Sequence, residues 1–110
     1  MAGEVRNDDD VPHDEDRKFE VRNNTVRSRY ELFVDGEFRG FTEYRDTGNA
    51  VIFPHTIIEA EHRGNGLGAV LVRGALDDVR RRGRGPVTAQ CWYVAEFIDD
   101  NPEYRDLLAA

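Results

Sequence analysis

At 110 residues, with a formal net charge of −7 and 34% charged side chains, the chain has room for one modest core and not for two. One cysteine excludes an internal disulfide, and no apolar run suits a secretory h-region or a membrane span, so a cytoplasmic protein with no membrane partner is expected. The acidic balance also argues against nucleic acid as a partner, since the basic cluster Arg80-Arg81-Arg82-Gly83-Arg84 falls at a predicted helix end, where cations oppose the helix dipole.

The N-terminal stretch carries Glu4, Asp8, Asp9, Asp10, Asp14, Glu15 and Asp16 against Arg6, Arg17 and Lys18. So few apolar residues cannot offset the entropy of ordering, so residues 1–18 read as a disordered tail and residues 19–110 as the folded domain.

Phe19 to Asn23 is a candidate first strand. Arg29 to Val34 alternates Tyr30, Leu32 and Val34 with Arg29, Glu31 and Phe33, the period of a half-buried strand. Asp35-Gly36 tolerates positive φ at both positions and predicts a tight hairpin turn. Phe38 to Arg45 alternates again, Asp46-Thr47-Gly48-Asn49 forms a second turn, and Ala50 to Ala60 reads as a longer strand completing an antiparallel meander. Pro54 cannot donate to a ladder, so this strand must bulge or lie unpaired on one side there.

Arg63-Gly64-Asn65-Gly66-Leu67-Gly68 then opens into an apolar-periodic stretch. A glycine-rich turn entering a helix presents unpaired N–H groups backed by the positive end of the helix dipole. That makes an anion cradle, most often for phosphate, and glycines let the main chain approach it closely. Val72, Ala75, Leu76 and Val79 continue the helical period to Arg82, with Arg73–Asp77, Asp77–Arg81 and Asp78–Arg82 as opposite charges four apart. Gly83, Gly85 and Pro86 stop this helix. Val87 to Cys91 is a short strand, parallel to Ala50–Ala60 because a helix joins them. Val94 to Asp99 forms a helical turn or two, Asn101-Pro102 breaks it, and Glu103 to Leu108 forms a last short helix; the class is α+β.

Other phosphate motifs fit poorly. Gly64-x-Gly66-x-x-Ala69 satisfies a dinucleotide fingerprint formally, but no acid occurs between Asp78 and Glu96 where a ribose partner is needed. Gly68 is followed by Ala69-Val70, not by the Lys-Ser/Thr of a nucleoside triphosphatase loop.

The pattern Arg/Gln-x-x-Gly-x-Gly/Ala at Arg63, Gly66 and Gly68, after three antiparallel strands, resembles the acetyl-CoA-binding core of the GNAT N-acetyltransferase superfamily. The resemblance covers about Phe19 to Leu108. It is closest to a minimal subgroup that keeps only this core, whose pattern also includes His55-Thr56, Cys91-Trp92-Tyr93-Val94 and Asn101-Pro102. The fold so implied is a twisted, mostly antiparallel sheet with one main helix after the pyrophosphate loop and short C-terminal helices. It lacks the extra helices and final strand pair that commonly build an acceptor pocket.

The resemblance implies an N-acyltransferase that moves an acetyl group from acetyl-CoA, or another acyl group from its CoA thioester, to a primary amine by direct transfer in a ternary complex. No metal is implied. A small amine or a lysine-containing acceptor is expected, the net charge favouring a cation, on a monomer or weak homodimer. Main chain from Arg63, Gly64, Asn65, Gly66, Leu67 and Gly68 is implied to hold the pyrophosphate, and Ile57 and Ile58 main chain to pair with pantetheine.

His55 has the chemistry of a general base. In an unbroken strand it shares a face with Val51, Phe53 and Ile57, so a hydrogen-bonded core histidine is the competing reading. The subgroup usually has Glu where this chain has Ile57, which leaves Glu59 as a substitute or as a solvated strand-end carboxylate. Cys91 reads either as a thiol beside the acyl thioester or as a small buried hydrophobe. Many GNAT enzymes reprotonate the CoA thiolate with a tyrosine at the position of Phe97 here; Tyr93 and Tyr104 are the stand-ins. Trp92 reads as core or cleft wall. The departures at Ile57 and Phe97 keep a second reading in play: a non-catalytic acyl-CoA-binding sensor or interaction domain.

Overall fold

A computed structural model describes residues 18–59 and 66–108. The acidic stretch 1–17 and the turn residues Arg63, Gly64 and Asn65 lie outside them. Three antiparallel strands come first: β1 (Phe19–Asn24), β2 (Arg29–Val34) and β3 (Glu37–Glu43). Asp35 and Gly36 take φ of 52° and 85°, the conformation that matches the twist of a two-residue hairpin. Lys18, grouped with the tail by composition, is tied to this turn, accepting from Asp35 N–H at 2.8 Å. Tyr30, Leu32 and Val34 are buried, as their alternation demands. On the opposite face the Arg22 guanidinium lies 4.1 Å from the Phe33 ring centre and Arg29 lies 4.3 Å from that of Phe41. Cations thus cover the outward aromatics.

The chain continues as β4 (Arg45–Asp46), β5 (Val51–Phe53) and β6 (Thr56–Ile58). This corrects the expectation of one strand from Ala50 to Ala60. At Pro54 and His55 the chain leaves one sheet for another: β5 belongs to the sheet β4-β5-β7, with β7 (Val87–Ala89) parallel to it, whereas β6 is the last strand of the sheet β1-β2-β3-β6. Pro54 has no N–H to carry a ladder across the junction.

Helix α1 (Leu67–Arg81) packs Leu67, Leu71, Val72, Ala75, Leu76 and Val79 against Tyr30, Leu32, Val34, Val51 and Phe53. Gly74 permits close approach to β1, for a Cβ there would stand 2.6 Å from Val21 Cγ2. The helix ends when Gly83 takes φ 67°, with Gly83 N–H donating to Arg80 C=O and Arg84 N–H to Val79 C=O, both at 3.0 Å. Helix α2 (Trp92–Asp100) and a 3-10 helix (Pro102–Leu107) follow.

Of the three expected charge pairs along α1, Asp78–Arg82 forms at 2.8 Å. Asp77 instead accepts from Tyr104 hydroxyl at 2.7 Å, and Arg73 donates to that hydroxyl at 3.1 Å and to Asn101 Oδ1 at 3.1 Å. These bonds clasp the C-terminal segment to the helix. The basic cluster is likewise engaged: Arg80 with Asp106, Arg81 and Arg82 with Asp78, Arg84 with Asp46. Asp78, buried, also accepts from Tyr30 hydroxyl at 2.8 Å. Burial, and then the bond to Asp78, push the Tyr30 phenol well above its usual range.

Candidate functional site

The N–H of Cys91 donates to the Phe53 carbonyl at 2.9 Å. Past that bond the two sheets part: β6 turns toward β3, α2 begins, and a cavity of about 640 Å³ opens between them. Pro54, His55, Thr56 and Ile58 line one side, Gln90, Cys91, Trp92 and Tyr93 the other, and Gly66, Leu67 and Gly68 the end at α1. The structure therefore gathers His55, Cys91, Tyr93, Ile58, Gly66, Leu67 and Gly68 into one site.

At the α1 end, Gly66 caps the helix with φ 78° and no side chain bonds to the first turn. Among the described residues, a Cβ on Gly66 would meet nothing within 4 Å. Together with the absence of acids in the first turn, that fits a pyrophosphate, whose charge the exposed N–H groups and helix dipole favour. Gly68 differs. A Cβ there would stand 2.7 Å from Cζ of Tyr93, so the second glycine seats the Tyr93 ring at the cradle. Burial, then the nearby Glu96 and Cys91, raise the Tyr93 phenol above its ordinary value, which keeps it protonated.

Along β6, Glu43 N–H donates to His55 C=O at 3.1 Å and Glu59 N–H to Arg39 C=O at 2.9 Å, with Phe41 opposite Ile57 between them. Antiparallel ladders alternate, so His55, Ile57 and Glu59 turn their main chain to β3, and Thr56 and Ile58 turn theirs toward the cavity. Ile58 thus turns its main chain to the cavity side of β6. Ile57 does not: its ladder groups face β3, and the residue is 45% exposed.

The break at Pro54 also decides between the two readings of His55. Val51 and Phe53 are buried, yet His55 has a side chain 54% exposed at the cavity edge. It is not a core histidine, because the parity of β5 does not run through the junction. Its Nε2 lies 2.8 Å from Glu43 Oε1. Glu43 is the partner that sequence reasoning missed; pairing Phe38–Arg45 antiparallel to the His55 strand was the signal that could have found it. Glu59, the expected substitute, is turned to Arg39 at 3.3 Å.

Cys91, buried, places Sγ 3.7 Å from Thr56 Oγ1, which lies 2.9 Å from Thr42 Oγ1. The hydroxyl pair links β3 to β6, and the Cys91 contact crosses from β6 to the end of the β7 segment at the cavity. Tyr104 is engaged by Asp77 and Arg73, and Phe97 packs on it at 5.5 Å between ring centres. Tyr93 is thus the stand-in hydroxyl that reaches the cavity. Trp92 is 72% exposed on its wall, not core. Among the described residues no cluster of acids, histidines and cysteine could hold a metal ion, and no helix is long and apolar enough to cross a membrane.

Residues 29–107 match the family described as GCN5-related N-acetyl-transferase. The chain is similar to Protein NATD1 of Bos taurus, at 33% identity over 95 residues covering 84% of this chain and 74% of that protein. It is also similar to the crystal structure of a ribosomal-protein-alanine N-acetyltransferase from Brucella melitensis biovar Abortus 2308, with a TM-score of 0.51 and 25% identity. That match covers 74% of this chain and 61% of the other, so this chain spans less than two thirds of that protein's length.

Proposed function

The chain belongs to the GCN5-related N-acetyltransferase family, and from that premise we propose that residues 19–110 form a cytoplasmic N-acetyltransferase, monomeric or weakly dimeric, moving acetyl from acetyl-CoA to a primary amine. One observation carries this reading: a single gap between parted strands has an anion cradle at Gly66–Gly68 and an exposed histidine at Pro54-His55.

Acetyl-CoA supplies the activated acyl carbon. The Gly66–Gly68 main chain holds its diphosphate, and cavity-facing main chain of Ile58 aligns its arm as an added strand. His55 removes a proton from the acceptor ammonium, leaving a neutral amine able to attack the carbonyl. Strand N–H groups facing the gap offset the charge that develops on the acyl oxygen. As the C–N bond forms and the C–S bond breaks, the Tyr93 hydroxyl gives its proton to the leaving sulfur. Cys91 lines the floor beside the thioester and needs no covalent role.

The test is release of free CoA thiol from acetyl-CoA with a panel of amines, alongside calorimetry for CoA binding. Turnover with at least one amine is expected. Binding without any turnover would favour the sensor reading, for which the buried, donor-free Phe97 on α2 speaks. No CoA binding at all would reject both.

A further inference from the structure

The carboxylates around β6 are not equivalent. Glu20 is paired with Arg22 at 2.9 Å, Glu31 with Arg29 at 2.7 Å, and both Glu37 and Glu59 share Arg39. Among the described residues of β1, β2, β3 and the end of β6, Glu43 is the acid whose ion-pair partner is a histidine and not an arginine. A neutral imidazole leaves the Glu43 charge uncancelled, at a side chain 40% exposed and bonded to the His55 that lines the cavity.

Glu43 and His55 are also held as a unit. They face each other across β3 and β6, joined once through the main chain at 3.1 Å and once through Nε2 and Oε1 at 2.8 Å. A neutral imidazole that gives Nε2–H to Glu43 keeps Nδ1 as its lone-pair nitrogen.

We propose that Glu43 is the positioning residue of His55 and the charge that selects the acceptor, an alkylammonium such as a polyamine or a lysine side chain. The inference rests on the acetyltransferase reading and goes beyond it. The Glu43 charge draws the ammonium to the His55 edge of the cavity without bonding it directly, Nδ1 on the far side of the ring takes its proton, and the carboxylate at Nε2 steadies the imidazolium until solvent removes that proton.

The experiment compares wild type, Glu43→Gln and Glu43→Asp with three acceptors: spermidine, N-acetyl-lysine methylamide, and aniline, which is uncharged at neutral pH. Glu43→Gln is expected to lower kcat/KM about tenfold for the alkylammonium acceptors, from a charge at a partly exposed site. Aniline, whose attack still uses His55 but carries no charge for Glu43 to select, should lose clearly less than the cations, Glu43→Asp should recover part of the loss, and added salt should raise KM for spermidine in wild type but not in Glu43→Gln. Whichever of spermidine and the lysine compound shows the larger loss is the better mimic of the acceptor.

Equal losses for aniline and the cations would make Glu43 merely structural and overturn the proposal, as would unchanged kcat/KM for the cations. If no amine turns over, the acetyl-transfer reading fails and Glu43 is judged on binding alone. Trp92 is the sole tryptophan and lines the cavity, so its fluorescence reports spermidine binding in the presence of CoA. Affinity about tenfold weaker in Glu43→Gln supports the proposal; equal affinity, or no binding by wild type, overturns it.

Discussion

Tyr93 rests against the main chain of Gly68 so closely that a Cβ at that glycine would lie 2.7 Å from the phenol Cζ. The two glycines flanking Leu67 therefore have separate duties. A Cβ at Gly66 would touch none of the described residues, whereas Gly68 makes room for an aromatic ring. Gly68→Ala should leave the fold intact, because the atoms that must yield belong to a side chain at the cavity wall. It should still lower kcat about tenfold or more, since a displaced hydroxyl no longer meets the leaving sulfur. Adding Tyr93→Phe should then cost little more. Full additivity of the two changes in kcat would show that they act independently.

Gly66→Asp tests the cradle itself. The left-handed φ of 78° costs a non-glycine residue about 1 kcal/mol, a loss the fold should survive. A carboxylate directed into the space before the first turn of α1 opposes a diphosphate, and acetyl-CoA affinity should fall at least about tenfold. Calorimetry on a mutant with a native-like circular dichroism spectrum decides it. Unchanged affinity would move the diphosphate site elsewhere.

The bond from Tyr30 to Asp78 fastens β2 to α1. Tyr30→Phe should cost about 1 kcal/mol near neutral pH, because Asp78 keeps its arginine partners. The folded Tyr30 pKa lies above its unfolded value near 10. Its contribution is thus fully present below about pH 10 and is lost as pH rises toward the folded value. Urea unfolding should show wild type losing stability above about pH 10, and Tyr30→Phe losing less over the same range. Equal slopes would mean Tyr30 does not carry the alkaline loss.

Local chemistry made much of this fold legible. Asp35-Gly36 specified a hairpin, the apolar period specified α1, and Gly83 specified its end, because each rests on the conformational limits of a few adjacent residues. Pro54 announced a broken ladder but not its outcome, since the choice of sheet for β6 is made by β3 and β7. The same gap hid the His55–Glu43 pair, which depends on the register of strands separated by a turn. It also hid the seating of Tyr93 on Gly68, a contact between residues 25 positions apart in a motif that reads as phosphate-binding throughout.

His55 and Cys91 share the cavity but differ in what surrounds them. The imidazole is half-exposed and bonded to a carboxylate, while the thiol is buried over Thr56. His55→Ala should therefore lower turnover at neutral pH by about a hundredfold, in the range of a lost general base, with acetyl-CoA affinity changed little. Cys91→Ala should keep substantial activity, because direct transfer forms no bond to sulfur. Its cost belongs to packing, about 1 kcal/mol for a small buried group, and should appear as a lower melting temperature. Intact-mass spectrometry after incubation with acetyl-CoA adds the decisive control. An acetyl adduct on wild type that is absent from an inactive Cys91→Ala protein would replace direct transfer with a two-step route through the thiol.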